Sequence, residues 1–65
     1  MNLERENLTE REWLLVELAI LRCFKGQASY EDSRLVKRAY ASDPRRYVTL
    51  SSEVRSAERA RLSSF

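Results

Sequence analysis

Apolar side chains recur at helical spacing along the chain, and the strongest pattern lies between Glu10 and Lys25. One side of a helix over these residues carries Trp13, Val16, Ile20, Cys23 and Phe24. The opposite side carries a second set, which we term the leucine stripe: Leu14, Leu18 and Leu21. Because a helix that is apolar on two sides needs neighbours on two sides, other helices, a second copy or a partner should cover this segment.

Local signals mark both ends of this first helix. Thr9 and Glu12 form a capping box, in which each side chain accepts a hydrogen bond from the backbone N–H of the other residue. Leu8 and Trp13 occupy the two positions of a hydrophobic staple across the helix start. At the other end, Gly26 can adopt the left-handed conformation that closes a helix. These signals predict a well-capped first helix.

A second helix is predicted over residues 30–41, where Ser29 can cap the start and Asp32 lies near the positive end of the helix dipole. Its apolar side consists of Leu35, Val36 and Ala39. Its opposite side carries three cations at the spacing of helix neighbours: Arg34, Lys37 and Arg38. The pattern therefore predicts one side that faces a core and one basic side.

The pattern weakens after Asp43-Pro44. Proline disfavours helical geometry in the preceding residue but is accepted as a first helical residue, so a turn or a short helical turn starts there. Residues 47–50 have strand-like propensity without a partner strand, and we predict an extended connector for them. A last helix over residues 50–62 would place Arg55 and Arg59 outward and four side chains inward: Leu50, Val54, Ala57 and Ala60.

These segments predict an all-α fold, a small three-helix domain with helices at about 10–25, 30–41 and 50–62. The domain spans residues 9–62, after a flexible arm over 1–8 and before a tail over 63–65. One cysteine without any histidine excludes an internal disulfide and a zinc site. A chain of 65 residues can form only a small core, so we expect homodimerisation or a partner to complete the domain. The alternative is that the first helix is simply the central one, wrapped by its own neighbours.

The charges are unevenly distributed. The formal net charge is +2, but residues 1–33 carry net −3 and residues 34–65 carry net +5. Eight cations form the candidate partner-binding residues, which we term the basic set: Arg34, Lys37, Arg38, Arg45, Arg46, Arg55, Arg59 and Arg61. Arginine binds phosphates and carboxylates with two parallel hydrogen bonds, so the set favours an anionic partner, either nucleic acid or an acidic protein surface. The alternative is a solvated basic face balanced by the acidic residues of the first half.

The residue types needed for catalysis are scarce. A chain without histidine and with a single glycine has neither a conventional catalytic triad nor a glycine-rich phosphate loop. We therefore expect no enzyme activity, no cofactor and no bound metal. Cys23 is predicted to be a buried apolar thiol, with a redox-active exposed thiol as the alternative. Trp13 is interpreted either as a core residue or as an anchor for a partner.

The start of the first helix resembles a known DNA-binding family. Leu8-Thr9-Glu10-Arg11-Glu12, followed by an apolar helix, Gly26 and a helix capped by Ser29, is similar to the opening of the LuxR-type helix-turn-helix. The resemblance covers less than half of the chain, and Gly26 comes about one helical turn later than the family's glycine. It implies DNA binding by analogy alone.

The residues favour a function in binding. The leading hypothesis is a small cytoplasmic helical regulator or inhibitor, of the kind found in phages and other mobile elements, that binds a larger macromolecular machine and does not enter a membrane. Homodimerisation or apolar docking would use Trp13, Leu14, Leu18 and Leu21. The alternative is a small DNA-binding, helix-turn-helix-like regulator that uses the arginine-rich second half.

Overall fold

A computed structural model describes residues 7–63, which form three α-helices and no strand. The helices are α1 (Glu10–Phe24), α2 (Tyr30–Ser42) and α3 (Pro44–Ser63). The all-helical, three-helix prediction is confirmed for this part of the chain. The predicted bounds of α1 and α2 agree to within one residue, whereas α3 begins six residues earlier than expected. Most of the predicted arm and the end of the predicted tail lie outside the described residues.

Both ends of α1 have the predicted structure. Thr9 Oγ1 accepts a hydrogen bond from the Glu12 N–H (3.1 Å), and Glu12 Oε1 accepts one from the Thr9 N–H (2.8 Å). After α1, Gly26 has a φ of 71°, a left-handed conformation that glycine adopts without strain. The Gln27 N–H donates to the Arg22 carbonyl and the Gly26 N–H to the Cys23 carbonyl, which is the Schellman pattern.

The start of α2 is a second full capping box. Ser29 Oγ accepts from the Asp32 N–H (3.1 Å), and Asp32 Oδ2 accepts from the Ser29 N–H (3.1 Å). Asp32 also accepts a hydrogen bond from Arg22 of α1 at 2.9 Å. One carboxylate therefore caps α2 and ties its first turn to the last turn of α1.

The predicted extended connector over 47–50 is wrong, because these residues belong to α3. Asp43 has a non-helical conformation and ends α2, while its side chain accepts a hydrogen bond from the Arg46 N–H (3.1 Å) at the start of α3. Pro44 is the first residue of α3, where its missing N–H costs nothing. Strand propensity is a weak preference, and this start signal, together with the packing of Tyr47 against the core, overrides it.

Contacts between side chains define the helix directions. Arg22–Asp32 and Arg38–Glu12 join opposite ends of α1 and α2, so these helices are antiparallel. Arg46 meets Glu10 near the starts of α3 and α1, and Arg55 lies over the Phe24 ring further along both. Helices α1 and α3 therefore run in the same general direction.

The core is centred on α1. Trp13, Val16, Ala19 and Ile20 are buried there, with further buried residues from the other segments: Leu8, Ala39 and Val54. Leu8, assigned to the arm, is thus part of the core, as its staple position requires. On the side of α1 that bears Trp13, the chain's own segments cover the helix from Trp13 to Ile20.

Four positions on the predicted apolar sides of the helices are exposed: Cys23, Phe24, Ala57 and Ala60. Cys23 is a free, exposed thiol, because the buried residues of α1 end at Ile20, before the last turn of the helix. Ala57 and Ala60 are exposed because the inward side of α3 reaches full burial only at Val54. The second half of α3 therefore offers surface where the pattern predicts core.

Candidate functional site

The leucine stripe contains two of the four large apolar side chains that are exposed on α1; the other two are Leu15 and Phe24. Leu14 and Leu18 are 64% and 47% exposed, whereas Leu21 is partly buried against the core. Trp13, grouped with them as a docking residue, is only 5% exposed and packs inside. The structure thus divides the predicted docking set into one core residue and a stripe that remains available at the surface.

A groove between α1 and α3 begins at this stripe. Its walls and floor, which enclose about 250 Å³, are formed by Glu17, Leu18, Leu21, Val54, Ala57, Glu58 and Arg61. Ala57 is small, which leaves room between the two helices, and the Leu18 and Leu21 side chains form the apolar wall on α1. The arrangement can accept the apolar side of a third helix, as grooves between two helices commonly do.

Arg46, a member of the basic set, contacts both Glu10 and the Trp13 ring on α1. Its guanidinium donates to both carboxylate oxygens of Glu10, at 2.7 and 3.0 Å, and lies 4.5 Å from the centroid of the Trp13 ring. The hydrogen bonds and charge of Arg46 lower the pKa of Glu10. Because that pKa is lowered on folding, the contribution of the pair is present at neutral pH and is lost as the pH falls through the pKa of folded Glu10.

Three more cations of the basic set have partners within the chain. Arg38 lies 3.9 Å from Glu12, and Arg61 is 2.7 Å from Glu58, whose pKa it lowers. Arg55 lies over the Phe24 ring at 5.4 Å from its centroid. Glu10 pairs with Arg46 and joins α1 to α3, while Glu12 pairs with Arg38 and joins α1 to α2. Part of the opposite charge of the two halves therefore forms ion pairs inside the chain.

The other four cations of the basic set are Arg34, Lys37, Arg45 and Arg59. All four are exposed, and none forms an ion pair within the described range 7–63. Arg34 and Lys37 lie one turn apart on α2, and Arg45 lies in the first turn of α3. The basic set is therefore not one continuous surface with a single role.

The aromatic residues have mainly packing roles. Tyr40 and Tyr47 pack edge to face with ring centroids 5.7 Å apart, which joins α2 to α3. Burial raises the pKa of Tyr47, and the nearby Cys23 adds to this effect. Phe24 and Leu62 are exposed and line a second groove, which also includes Arg55, Glu58 and Arg59.

Two further features are absent from the described part of the chain. None of the helices within residues 7–63 is long and apolar enough to cross a membrane. Within the same range, no group of three or more cysteine, aspartate or glutamate side chains is arranged to hold a metal ion.

No protein-family model matches the chain, and comparison with curated proteins and with solved structures finds no significant similarity. The resemblance of residues 8–12 to the LuxR-type opening thus has no family match behind it; in the structure these residues form the N-terminal cap and first turn of α1. A helix-turn-helix joins its two helices by a turn of about three or four residues. Here Asp43 alone separates α2 from α3.

Proposed function

We propose that this chain is a non-catalytic protein-binding module, a small regulator or inhibitor that docks on a larger macromolecular machine through the groove between α1 and α3. The observation that carries the proposal is the exposure of Leu14 and Leu18 on the helix that also supplies most of the core. Leu18 lines the groove and Leu14 lies one turn before it on α1; neighbouring exposed apolar side chains beside a groove are typical of interaction sites.

The positions of the arginines support a protein partner. Arg46 and Arg38 pair with carboxylates of α1, and Arg61 pairs with Glu58 on the edge of the groove. Arg46 joins α3 to α1, Arg38 joins α2 to α1 and Arg61 pairs within α3, so each of these cations is already engaged with a carboxylate of the chain. An interface core of leucines surrounded by polar residues has the composition usual for protein–protein contacts.

Leu18→Glu should leave the chain folded and remove partner binding. Leu18 is 47% exposed, so its replacement removes little core contact, but a carboxylate in the groove must be desolvated when a partner docks. We expect an affinity loss of at least about tenfold, since truncating or charging a central interface residue commonly costs more than this factor. Circular dichroism would check the fold, and isothermal titration calorimetry with the purified partner would measure affinity.

Val48→Glu is the matched control for this test. Val48 is 57% exposed on α3 and lies nine residues before Ala57, two and a half turns away, hence on the opposite side of the helix. Affinity capture from source cells should yield a protein that wild type and Val48→Glu retain and Leu18→Glu loses. That protein, once purified, is the titration partner. Equal binding by all three chains would contradict the proposal.

A second candidate function, DNA binding, is favoured by Arg34, Lys37 and Arg45, which are exposed and form no ion pair with residues 7–63. Binding through phosphates weakens steeply with salt, whereas apolar docking is far less sensitive. We expect random duplex DNA to show no binding to the chain near physiological ionic strength, and any binding to be confined to low salt. Binding that persists there in a gel-shift assay, and that Arg34→Glu with Lys37→Glu abolishes, would favour this candidate over the protein-binding module.

A further inference from the structure

The leucine stripe is bounded by a cation at each end. Arg11 precedes Leu14 by three residues and Lys25 follows Leu21 by four, so the order Arg11, Leu14, Leu18, Leu21, Lys25 keeps the alternating spacing of a helix seam. We term these five positions the α1 seam. The two cations are 14 residues apart, about 21 Å along a helix axis.

Both cations are exposed and available. Arg11 has no ion pair among residues 7–63. Lys25, the C-cap residue of α1, makes no ion pair there either, although its charge contributes slightly to lowering the pKa of Glu58. Glu17, beside Leu18 on the groove, gives the middle of this surface a negative charge. Along α1 the surface therefore has a positive charge at each end and an apolar middle that carries one carboxylate.

We propose that the α1 seam, together with the groove beside Leu18 and Leu21, binds an amphipathic helix of another protein whose apolar stripe has a carboxylate at each end, an inference that rests on the proposed function above. Such a helix places one carboxylate near Arg11 and one near Lys25, and it avoids a third carboxylate opposite Glu17. Complementary charges at the ends of an apolar contact select partner and register more than they add affinity.

The same pattern disfavours a second copy of this chain. In a parallel pair of α1 seams, Arg11 faces Arg11 and Lys25 faces Lys25 of the other copy. In an antiparallel pair with leucines opposed, each cation lies against a leucine or the other cation. The five seam positions contain no carboxylate, Glu10 beside Arg11 is paired with Arg46, and Glu17 lies at the middle of the seam, so neither arrangement places a free carboxylate opposite Arg11 or Lys25. Like charges and desolvated cations both oppose association.

Two synthetic helical peptides would test this inference. Both carry leucines at the spacing of the α1 seam; one has glutamate and the other lysine at the two flanking seam positions. Fluorescence anisotropy with the full chain at low salt should show roughly fivefold to tenfold tighter binding of the glutamate-ended peptide, the size expected for two exposed ion pairs.

Charge reversal supplies the decisive comparison. Arg11→Glu with Lys25→Glu should reverse the preference, so that the lysine-ended peptide binds tighter by a similar factor. Arg34→Glu with Lys37→Glu makes the same change in net charge away from the seam and should retain the original preference.

Three outcomes would overturn the inference. They are equal or undetectable binding of the two peptides by the wild-type chain, a preference that survives reversal of the seam charges, and a concentration-dependent dimer in light scattering that Leu18→Glu abolishes. The first two outcomes leave the proposed function standing, whereas a dimer through Leu18 would place a second copy on the docking surface and count against that function as well. Independently of the peptides, the proposed function fails if Leu18→Glu still binds the partner retained by wild type.

Discussion

Trp13→Ala should lose most of its helical circular dichroism signal at room temperature. Trp13 is 5% exposed and contributes to the core cluster with residues of all three helices. Truncating a buried tryptophan costs about 3–5 kcal/mol. A core of fewer than about 70 residues rarely supplies more than about 3–5 kcal/mol of net stability. The expected loss is therefore comparable with the whole free energy of unfolding, and urea titration of the variant should show no folded baseline.

Two further variants make this result interpretable. Trp13→Phe keeps an aromatic ring and should remain folded with a lower midpoint. Arg46→Gln removes both the hydrogen bonds to Glu10 and the cation over the ring, and it should also fold with a lowered midpoint. A folded Trp13→Ala chain of normal midpoint that has lost only partner binding would contradict this account and restore Trp13 as a docking anchor.

The parts of the fold that were predictable from the sequence are those with local causes. The capping boxes at Thr9 and Ser29 and the glycine after α1 involve residues within a few positions of one another. The start of α3 also has a local signal, Asp43 followed by Pro44, but the strand-like residues after it favoured a different interpretation. Propensity and capping disagreed there, and the structure follows the cap.

The candidate site was predictable only in part. Periodicity identified the leucine stripe, but α1 is apolar on two sides, and only the packing of α2 and α3 decides which side stays exposed. The role of Arg46 has no local signal, since its partner Glu10 is 36 positions away. The only indication in the sequence was the opposite net charge of the two halves, because carboxylates of an acidic first half can form ion pairs with cations of a basic second half. The burial of Cys23 was misjudged because the pattern does not show where the covering helices end.

The alanines provide the sharpest test of where the core ends. Ala39 is 0% exposed, so it lies where α2 packs closely, whereas Ala60 is exposed on α3. Ala39→Leu and Ala60→Leu add the same side-chain volume with the same small change in helix propensity, so the difference between them isolates packing. Overpacking at Ala39 should lower the free energy of unfolding by about 1–3 kcal/mol. Ala60→Leu should change it by less than about 0.5 kcal/mol, as is usual for surface substitutions.

Urea unfolding followed by circular dichroism would measure both variants against wild type. The sequence pattern alone places Ala57 and Ala60 on the inward side of α3, so it predicts that leucine at 60 is as damaging as leucine at 39. The structure predicts the opposite, because beyond Val54 the helix presents its small residues to the groove and to solvent. Equal destabilisation by the two substitutions would indicate that the core extends along α3 and that the groove needed for partner docking is filled. A large effect confined to Ala39 would leave that groove open beside Leu18.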